Sequence, residues 1–440
     1  MLRLLSAFLT GIAYLFGQTN STAQQHAEKA IEFAQHGDLR SAEGELRKAV
    51  EISPDDSALL TSLGGILGME GELQRANAYL AKAVEVNPKD GAARRNLAAN
   101  QWQLGQFKEA HQNLDRLLNA NPGDRVATYL LGMVSEREGN YERSIALLES
   151  IPDIGERQQE ALPVLASSYY HTRRPQQARA ILQKLVGRSV KPEVLLMGGR
   201  VAMDAADYGI AGALLSQIPS TEVNRTGHAG EETYLRLCRI LSERADYEKA
   251  LAITSKAVHA FPDSYEAVSM KASIEMKLSY FSQAAASLQA AARLNPSPEA
   301  KRDLAVAEWR AGERQKAAEE FERAMRQFPR DGQIRETYGT LLLEDTSPEY
   351  KARAIELLNE ALAVDDSLIE ARYQLANNEF EEGRLEPALG YLTSALKLDP
   401  DASRLHFALS RVYRRLGRDS DATREMEVYQ KLKAAEQTHP

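Results

Sequence analysis

Residues 57–124 decide the fold, because this stretch contains one pattern written twice. Residues 57–90 read SALLTSLGGILGMEGELQRANAYLAKAVEVNPKD, and residues 91–124 read GAARRNLAANQWQLGQFKEAHQNLDRLLNANPGD. Both segments have a glycine at position 15, an alanine at position 20 and a proline at position 32. A period of 34 residues indicates a repeat protein, in which each copy forms one small supersecondary unit.

The same period continues in both directions along the 440-residue chain, with short offsets. Position eight of every unit is Ala, Gly, Ser or Cys, and position twenty is Ala or Ser, with Ala354 displaced by a short insertion. Apolar residues recur at helical spacing, and helices approach closely only where side chains are small. Each unit is therefore predicted to contain two helices, A and B, that cross at positions eight and twenty. The units begin at residues 23, 57, 91, 125, 159, 192, 231, 265, 298, 332, 369 and 403.

Glycine and proline punctuate the units. The glycine at position 15 tolerates positive φ, so it is predicted to end helix A and turn the chain. Proline has no backbone N–H to donate and is predicted to stop helix B. These prolines are Pro54, Pro88, Pro122, Pro262, Pro296, Pro329 and Pro400.

This pattern resembles the tetratricopeptide repeat (TPR), in the form found in exported bacterial proteins, over roughly residues 23 to 436. The small positions, the turn and the closing proline match in most units, whereas the family's aromatic residue at position four is absent from all units but the seventh. The resemblance implies an all-α, right-handed alpha-alpha superhelical solenoid of about twelve TPR units. Units one to six would occupy residues 24–224, and units seven to twelve would occupy residues 231–436.

Three departures from the period predict local irregularities. In units four and six a proline, Pro152 or Pro219, comes four residues early, so helix B should be about one turn short. Residues 219–230 are polar and contain two glycines, which predicts an exposed loop and a hinge. Unit ten carries three extra residues around Thr346, Ser347 and Pro348, predicted as a surface insertion, with a ligand-facing loop as the alternative.

The first 23 residues have the layout of a signal peptide. Arg3 precedes an apolar run from Leu4 to Phe16, which is too short to span a bilayer, and small residues at Ser21 and Ala23 predict cleavage after Ala23. The alternatives are a buried first helix and an uncleaved N-terminal anchor, and the anchor would be the only contact with a membrane. Because Cys238 is the single cysteine, no internal disulfide can form, and we expect an exported protein of the bacterial envelope, periplasmic or secreted.

Charge and motif content exclude several classes of function. The formal net charge is -8 and no basic block is present, so nucleic acid is not an expected partner. The sequence contains no phosphate-binding loop, nucleophile elbow or paired metal-ligand spacing, which predicts no enzyme activity, no metal site and no cofactor. Cys238 stands at position eight among Ala and Gly, so it is predicted to be a buried, inert thiol.

The resemblance implies that helix A of each unit lines a concave groove, which positions five, nine, twelve and thirteen would face. Arginine and aromatic residues are common there, as in peptide-binding surfaces. Acidic residues of the same faces, Glu136, Glu243, Glu336 and Glu381, could neutralise the arginines instead, and both alternatives stay open. The candidate groove-binding residues are Arg95, Trp102, Tyr129, Arg200, Arg239, Arg302, Trp309, Arg310, Tyr373, Asn377, Arg411, Arg414 and Arg415, and Phe380 stands at position twelve of the same set.

These observations predict a non-enzymatic scaffold that binds a protein or peptide segment, within an envelope assembly or secretion complex. A clamp for a C-terminal carboxylate is not supported, because Asn377 is the only asparagine at position nine and Tyr373 stands where the clamp needs lysine. One alternative is a TPR protein associated with polysaccharide export. Another is the repeat portion of a glycosyltransferase system, for which the repeats leave no catalytic domain. A monomer is feasible, because the last helix is rich in charged residues, as a terminal cap would be.

Overall fold

The computed structural model describes residues 21–438 with the exception of residue 346. Across this range the secondary structure is helical and no strand occurs. Contacts between residues divide the chain into two compact parts, an N-terminal part ending at Pro219 and a C-terminal part beginning at Ser220. The predicted signal peptide lies outside the described residues up to residue 20. Ser21 begins the first helix, and Ala23 is buried there against Ala27, Ala49 and Leu59.

The N-terminal part consists of six helix pairs and one additional short helix, α9. Consecutive helices of a pair pack against each other along their length. In chain order, helices α1 to α13 span Ser21–Gln35, Leu39–Ile52, Ser57–Met69, Leu73–Val86, Gly91–Gln103, Phe107–Ala120, Arg125–Arg137, Tyr141–Glu149, Ile154–Arg157, Ala161–His171, Pro175–Gln183, Pro192–Asp204 and Tyr208–Gln217.

The C-terminal part also contains six helix pairs. It begins with a short helix, α14, and a 3₁₀ turn at Asn224–Thr226. Helices α14 to α26 span Ser220–Val223, Gly227–Glu243, Tyr247–Ala260, Tyr265–Lys277, Phe281–Leu294, Pro298–Arg310, Arg314–Gln327, Gly332–Leu342, Pro348–Val364, Ile369–Glu381, Leu385–Leu398, Ser403–Arg415 and Asp419–Thr438. The prediction of a repeated all-α fold is confirmed.

Helices A and B cross where the small residues predicted. A Cβ atom at Gly64 would lie 2.6 Å from Cγ of Leu80 and 3.2 Å from the carbonyl oxygen of Ala76. Gly132 meets Leu148 in the same way, and the thiol of Cys238 lies 3.9 Å from the carbonyl oxygen of Ala250. Position eight of helix A therefore packs directly on positions twenty and twenty-four of helix B.

The helix ends also follow the sequence pattern. The side chains of Asp56, Asp90 and Asp124 accept hydrogen bonds from backbone N–H groups in the first turn of α3, α5 and α7, which satisfies donors that the helix itself leaves unpaired. Helix B ends two residues before the closing proline wherever that proline was predicted to stop it, as at Ile52 before Pro54.

Position four, where the family has an aromatic residue, instead holds polar pairs in several units. His26 lies 2.6 Å from Glu45, Lys301 lies 2.9 Å from Glu320, and His406 Nδ1 lies 2.6 Å from Glu425. In each case the acid stands at position twenty-three, on helix B. These pairs join helix A to helix B by a charged or hydrogen-bonded contact where an aromatic ring would otherwise pack.

The turn between helices A and B requires a left-handed residue at position 15. Seven glycines fill it, among them Gly312 with a φ of 85°. Units five to eight place other residues in the same conformation, at Arg173, Ala206, Ala245 and Ser279, with φ between 56° and 60°. A Cβ atom is strained in this region, so these four turns hold a local conformational cost.

Ala245→Gly is expected to raise the free energy of unfolding of the C-terminal part by about 0.5 to 1 kcal/mol. The gain from relieving the left-handed alanine exceeds the entropy that glycine adds to the unfolded chain. Gly312→Ala, at the equivalent turn of unit nine, is the matched control and should lose a similar amount, because nothing lies within 4 Å of its Cβ position. Urea denaturation of both variants measures this, and a loss of stability in Ala245→Gly would refute the strain.

The structure corrects two of the predicted irregularities. Residues 219–230 do not form an open loop: they hold α14, the 3₁₀ turn and the first turn of α15. Val223 is fully buried and Thr226 donates to its carbonyl oxygen, which stabilises the helical path. Whether this segment acts as a hinge stays a prediction. In unit ten, residue 346 lies outside the described residues, and the extra length enters α22, which has 17 residues, compared with 14 in the B helix of unit nine.

Helix B is short in units four and six, as predicted, with 9 residues in α8 and 10 in α13. Unit five is also short, with 9 residues in α11, which its sequence pattern had not indicated. None of the helices in the described range is long and apolar enough to cross a membrane.

Candidate functional site

The predicted groove residues of the N-terminal part are mostly engaged within the fold. Arg95 Nη1 lies 3.7 Å from Asp124, the cap of the next helix A. Tyr129 is only 7% exposed, and burial, together with the charge of Glu160, raises the pKa of its hydroxyl. Tyr129 therefore belongs to the core, which corrects its prediction as a binding residue. Trp102 and Arg200 are partly exposed.

In units seven and nine, two exposed arginines of helix A, Arg239 and Arg310, are paired with acids of the following unit. Arg239 lies 3.0 Å from Glu266, and Arg310 forms two hydrogen bonds, of 2.7 and 2.8 Å, with Glu344. Arg302 donates to Gln333 and approaches its neighbour Asp303. Neutralisation within the chain thus occurs here, although by other acids than the four that the sequence suggested.

Trp309 is also a core residue, not part of an exposed face. It is 4% exposed and packs edge-on against Tyr338, with Arg314 4.3 Å from its ring centroid. A ring that is buried to this degree offers almost no surface to a partner protein. Its prediction as a binding residue is therefore wrong.

Units eleven and twelve differ, because here arginines of helix A lie on aromatic rings of the preceding helix A. The guanidinium carbons of Arg411 and Arg415 stand 4.7 and 5.0 Å from the ring centroid of Phe380. Arg415 also donates from Nη1 to the carbonyl oxygen of Phe380 at 2.8 Å. Helix α25 carries the arginines and helix α23 carries the ring, so packing of neighbouring units creates the arrangement.

The same helix faces carry further members of this cluster. Arg404 lies 5.0 Å from the ring centroid of Tyr373, and Arg414 is exposed one helical turn beyond Arg411. Phe407, between them, is 40% exposed, and its ring centroid lies 5.2 Å from that of Tyr429. We call Phe380, Phe407, Arg411, Arg414 and Arg415 the arginine–phenylalanine surface.

The arginines of this region divide into paired and unpaired groups. Arg404 pairs with Glu370, and Arg418 pairs with Asp421 at 2.7 Å. Within the part of the chain that the structure describes, no carboxylate lies within 4.0 Å of Arg411, Arg414 or Arg415. These three cations are thus exposed without a counter-charge.

Asn377 lies beside this surface. Together with Phe380, Leu392 and Arg411 it lines a cavity of about 10 Å³. A space of that size holds at most one water molecule, so it is no site for a small-molecule ligand. Asn377 therefore contributes to the edge of the surface and not to an enclosed pocket.

The described residues form neither a metal site nor a reactive thiol site. No group of three or more His, Cys, Asp or Glu residues is placed to hold a metal ion in the range that the structure covers. Burial raises the pKa of the Cys238 thiol to about 12. The thiolate, which is the reactive form, is therefore scarce at neutral pH, in agreement with the predicted inert thiol.

Phe407 and Arg404 were not among the predicted site residues. Phe407 stands at position five of unit twelve, one of the positions considered, and its aromatic ring was the available signal. Arg404 stands at position two, which the groove positions did not include. The structure brings Tyr373, Asn377, Arg411, Arg414 and Arg415 together, whereas the other predicted residues are distributed along the two parts of the chain.

Comparisons with known proteins give the following matches. Two tetratricopeptide repeat families match residues 69–134 and residues 269–332. The family of anaphase-promoting complex, cyclosome, subunit 3 matches residues 103–185, and the bacterial transcriptional activator domain matches residues 339–437. No curated protein sequence matches the chain.

Similar solved structures include helical proteins of low sequence identity. Yeast Tom70 is 15% identical, with 93% of this chain and 92% of that chain covered and a TM-score of 0.41. The pilF protein of Pseudomonas aeruginosa is 20% identical, covering 47% of this chain and 92% of its own, with a TM-score of 0.38. PilW, described as a widely conserved type IV pilus biogenesis factor, is 18% identical, covering 49% and 100%, with a TM-score of 0.41.

The repeated helix pairs, the small residues at each crossing and the left-handed turn at position 15 agree with the two repeat families that match separate parts of the sequence. This chain contains tetratricopeptide repeats.

Proposed function

We propose that this protein is a non-enzymatic scaffold that binds a segment of a partner protein on the exposed faces of its A helices. The observation that carries the proposal is the arginine–phenylalanine surface, where three arginines without a counter-charge among the described residues and the exposed Phe407 lie on helix α25, next to Phe380 of the preceding A helix. Arginine and aromatic side chains are the residues that contribute most to protein interfaces. Tetratricopeptide repeats are typical of protein-interaction scaffolds, which supports the same reading.

Packing of the repeats supports binding rather than catalysis. Within each part of the chain, Ala and Leu side chains fill the helix crossings, as at Ala76 and Leu80, so each part is a packed layer of helix pairs. A catalytic centre needs a cleft that gathers reactive groups around a substrate, whereas an array of stacked helix pairs presents an extended surface. The proposed activity is therefore recognition along a surface.

Site-specific photo-crosslinking in the native host tests the proposal. A photoreactive phenylalanine analogue at position 407 lies on the exposed face of α25, and the same analogue at Leu398, 46% exposed at the end of α24, serves as the matched control. We expect a discrete crosslinked protein from position 407 and none from position 398. Equal adducts at both positions, or none at either, would contradict the scaffold role.

We further propose that the protein is exported and acts in the bacterial envelope. The support is the apolar run from Leu4 to Phe16 followed by small residues at Ser21 and Ala23. Mass spectrometry of the N-terminal peptide from fractionated cells should find Gln24 as the first residue in the envelope fraction. An intact N-terminus in the cytoplasmic fraction would refute export.

A further inference from the structure

The arginine–phenylalanine surface also indicates the chemistry of the partner segment. This inference rests on the proposed function. We infer that this surface binds an acidic segment of the partner protein, with carboxylates on Arg411, Arg414 and Arg415 and an apolar side chain against Phe407.

The arginines of this surface carry positive charge that the described part of the chain does not balance. The chain carries a net charge of -8, and arginines elsewhere on its A helices, such as Arg239 and Arg310, are neutralised by acids. Arg411, Arg414 and Arg415 instead lie on the last two turns of one helix with no carboxylate within reach among the described residues. Like charges placed together repel, so the cluster has a cost that a bound anion removes.

The guanidinium groups of this surface are held in fixed positions. The ring of Phe380 supports two guanidinium groups, and the hydrogen bond from Arg415 to the Phe380 carbonyl oxygen fixes one of them further. Guanidinium groups held on an aromatic ring lose less freedom on binding, and their planar forks match the two oxygens of a carboxylate. Side chains 407, 411 and 414 fall on one face of α25, so an extended segment can contact all three.

The basic part of this surface is small and is bordered by acidic residues. Glu381, the last residue of helix α23, and Glu382, which follows it, pair with Lys351 at 3.6 and 3.0 Å, so acids border the cluster. A long polyanion such as nucleic acid or an anionic polysaccharide needs a continuous basic track, which these acids interrupt. A short acidic peptide segment, with its charge spread over a few residues, fits a cluster of three arginines bordered by acids.

The test uses purified full-length protein and two fluorescein-labelled peptides. One is rich in glutamate and contains a phenylalanine, and its twin has glutamine at every glutamate. Fluorescence anisotropy should show the glutamate peptide binding at least about tenfold more tightly than the glutamine peptide, because charged hydrogen bonds are lost in the twin. Raising the salt concentration should weaken the binding of the glutamate peptide and leave that of the glutamine peptide unchanged.

Variants locate the binding. A triple variant, Arg411→Ala with Arg414→Ala and Arg415→Ala, should weaken binding of the glutamate peptide at least about tenfold. The matched control removes three arginines that already have acidic or polar partners, at Arg239, Arg302 and Arg310, and should change binding by no more than about twofold. Arg411→Lys keeps the charge but loses the fork and should give an intermediate affinity. Circular dichroism confirms that each variant remains folded.

Several outcomes would overturn the inference. Equal binding of the two peptides, or full binding by the triple variant, would show that this surface does not recognise carboxylates. Tighter binding of heparin or of single-stranded DNA than of the glutamate peptide, lost in the same triple variant, would assign the surface to another class of polyanion. If position 407 still gives a discrete crosslink while the peptide result is negative, the scaffold role stands and only the acidic partner is refuted.

Discussion

Phe321→Ala is expected to lower the free energy of unfolding of the C-terminal part by about 3 to 5 kcal/mol, because truncating a buried aromatic residue removes its contacts and leaves a cavity. Phe321 is fully buried in α20, where its ring stacks on Tyr338 with centroids 4.6 Å apart and an interplanar angle of 7°. Tyr338 belongs to the next unit, so the loss affects the contact between units nine and ten.

Fluorescence of Trp309 can follow this variant, because Trp309 belongs to the same cluster and the chain has only one other tryptophan, Trp102. Urea denaturation in a Trp102→Phe background then reports on units nine and ten. Phe321→Leu retains most of the buried volume and should lose much less, and Tyr350→Ala removes a ring that is 37% exposed and should change little. A loss below about 1 kcal/mol for Phe321→Ala would contradict the packing described.

Gly64→Ala should have the second-largest effect, a loss of about 1 to 3 kcal/mol in the N-terminal part. The added Cβ would stand 2.6 Å from Leu80 Cγ and 3.2 Å from a backbone oxygen, so helices α3 and α4 must move apart. Hydrogen exchange of the two helices measures the effect locally. We expect faster exchange in α3 and α4, with little change in the helices of units five and six.

Gly68→Ala is the control in the same helix. Its Cβ would have no neighbour nearer than 3.9 Å, so only helix propensity changes, and a gain of about 0.5 to 1 kcal/mol is expected. Opposite signs for two Gly→Ala changes four residues apart would establish where helices A and B cross. The same sign at both positions would place the crossing elsewhere.

The sequence predicted the fold well because the repeat makes each position a separate, recurring observation. Small residues at position eight, as at Gly64 and Gly132, meet leucines of helix B, and the closing prolines mark the ends of helix B. Unit five is the exception, since its short helix α11 has no early proline. The residues after Gln183 do not continue the helix, and the 34-residue period does not predict this.

The candidate site was harder to predict, because a position in the repeat fixes the backbone but not the neighbouring side chains. Trp309 and Phe380 both stand at position twelve, yet Trp309 is covered by Tyr338 and Arg314, whereas Phe380 supports two arginines of the next unit. Whether an arginine is neutralised depends on an acid about 30 residues away in sequence, such as Glu344 for Arg310. Such pairings require the structure.

The left-handed turns of units five to eight offer a route to a more robust protein. Arg173, Ala206, Ala245 and Ser279 lie in four separate turns, so we expect the effects of exchanging them for glycine to add. The combined gain, roughly 2 to 4 kcal/mol, would come without any change to the core or to the arginine–phenylalanine surface. A protein stabilised in this way would be well suited to crystallisation with a bound partner.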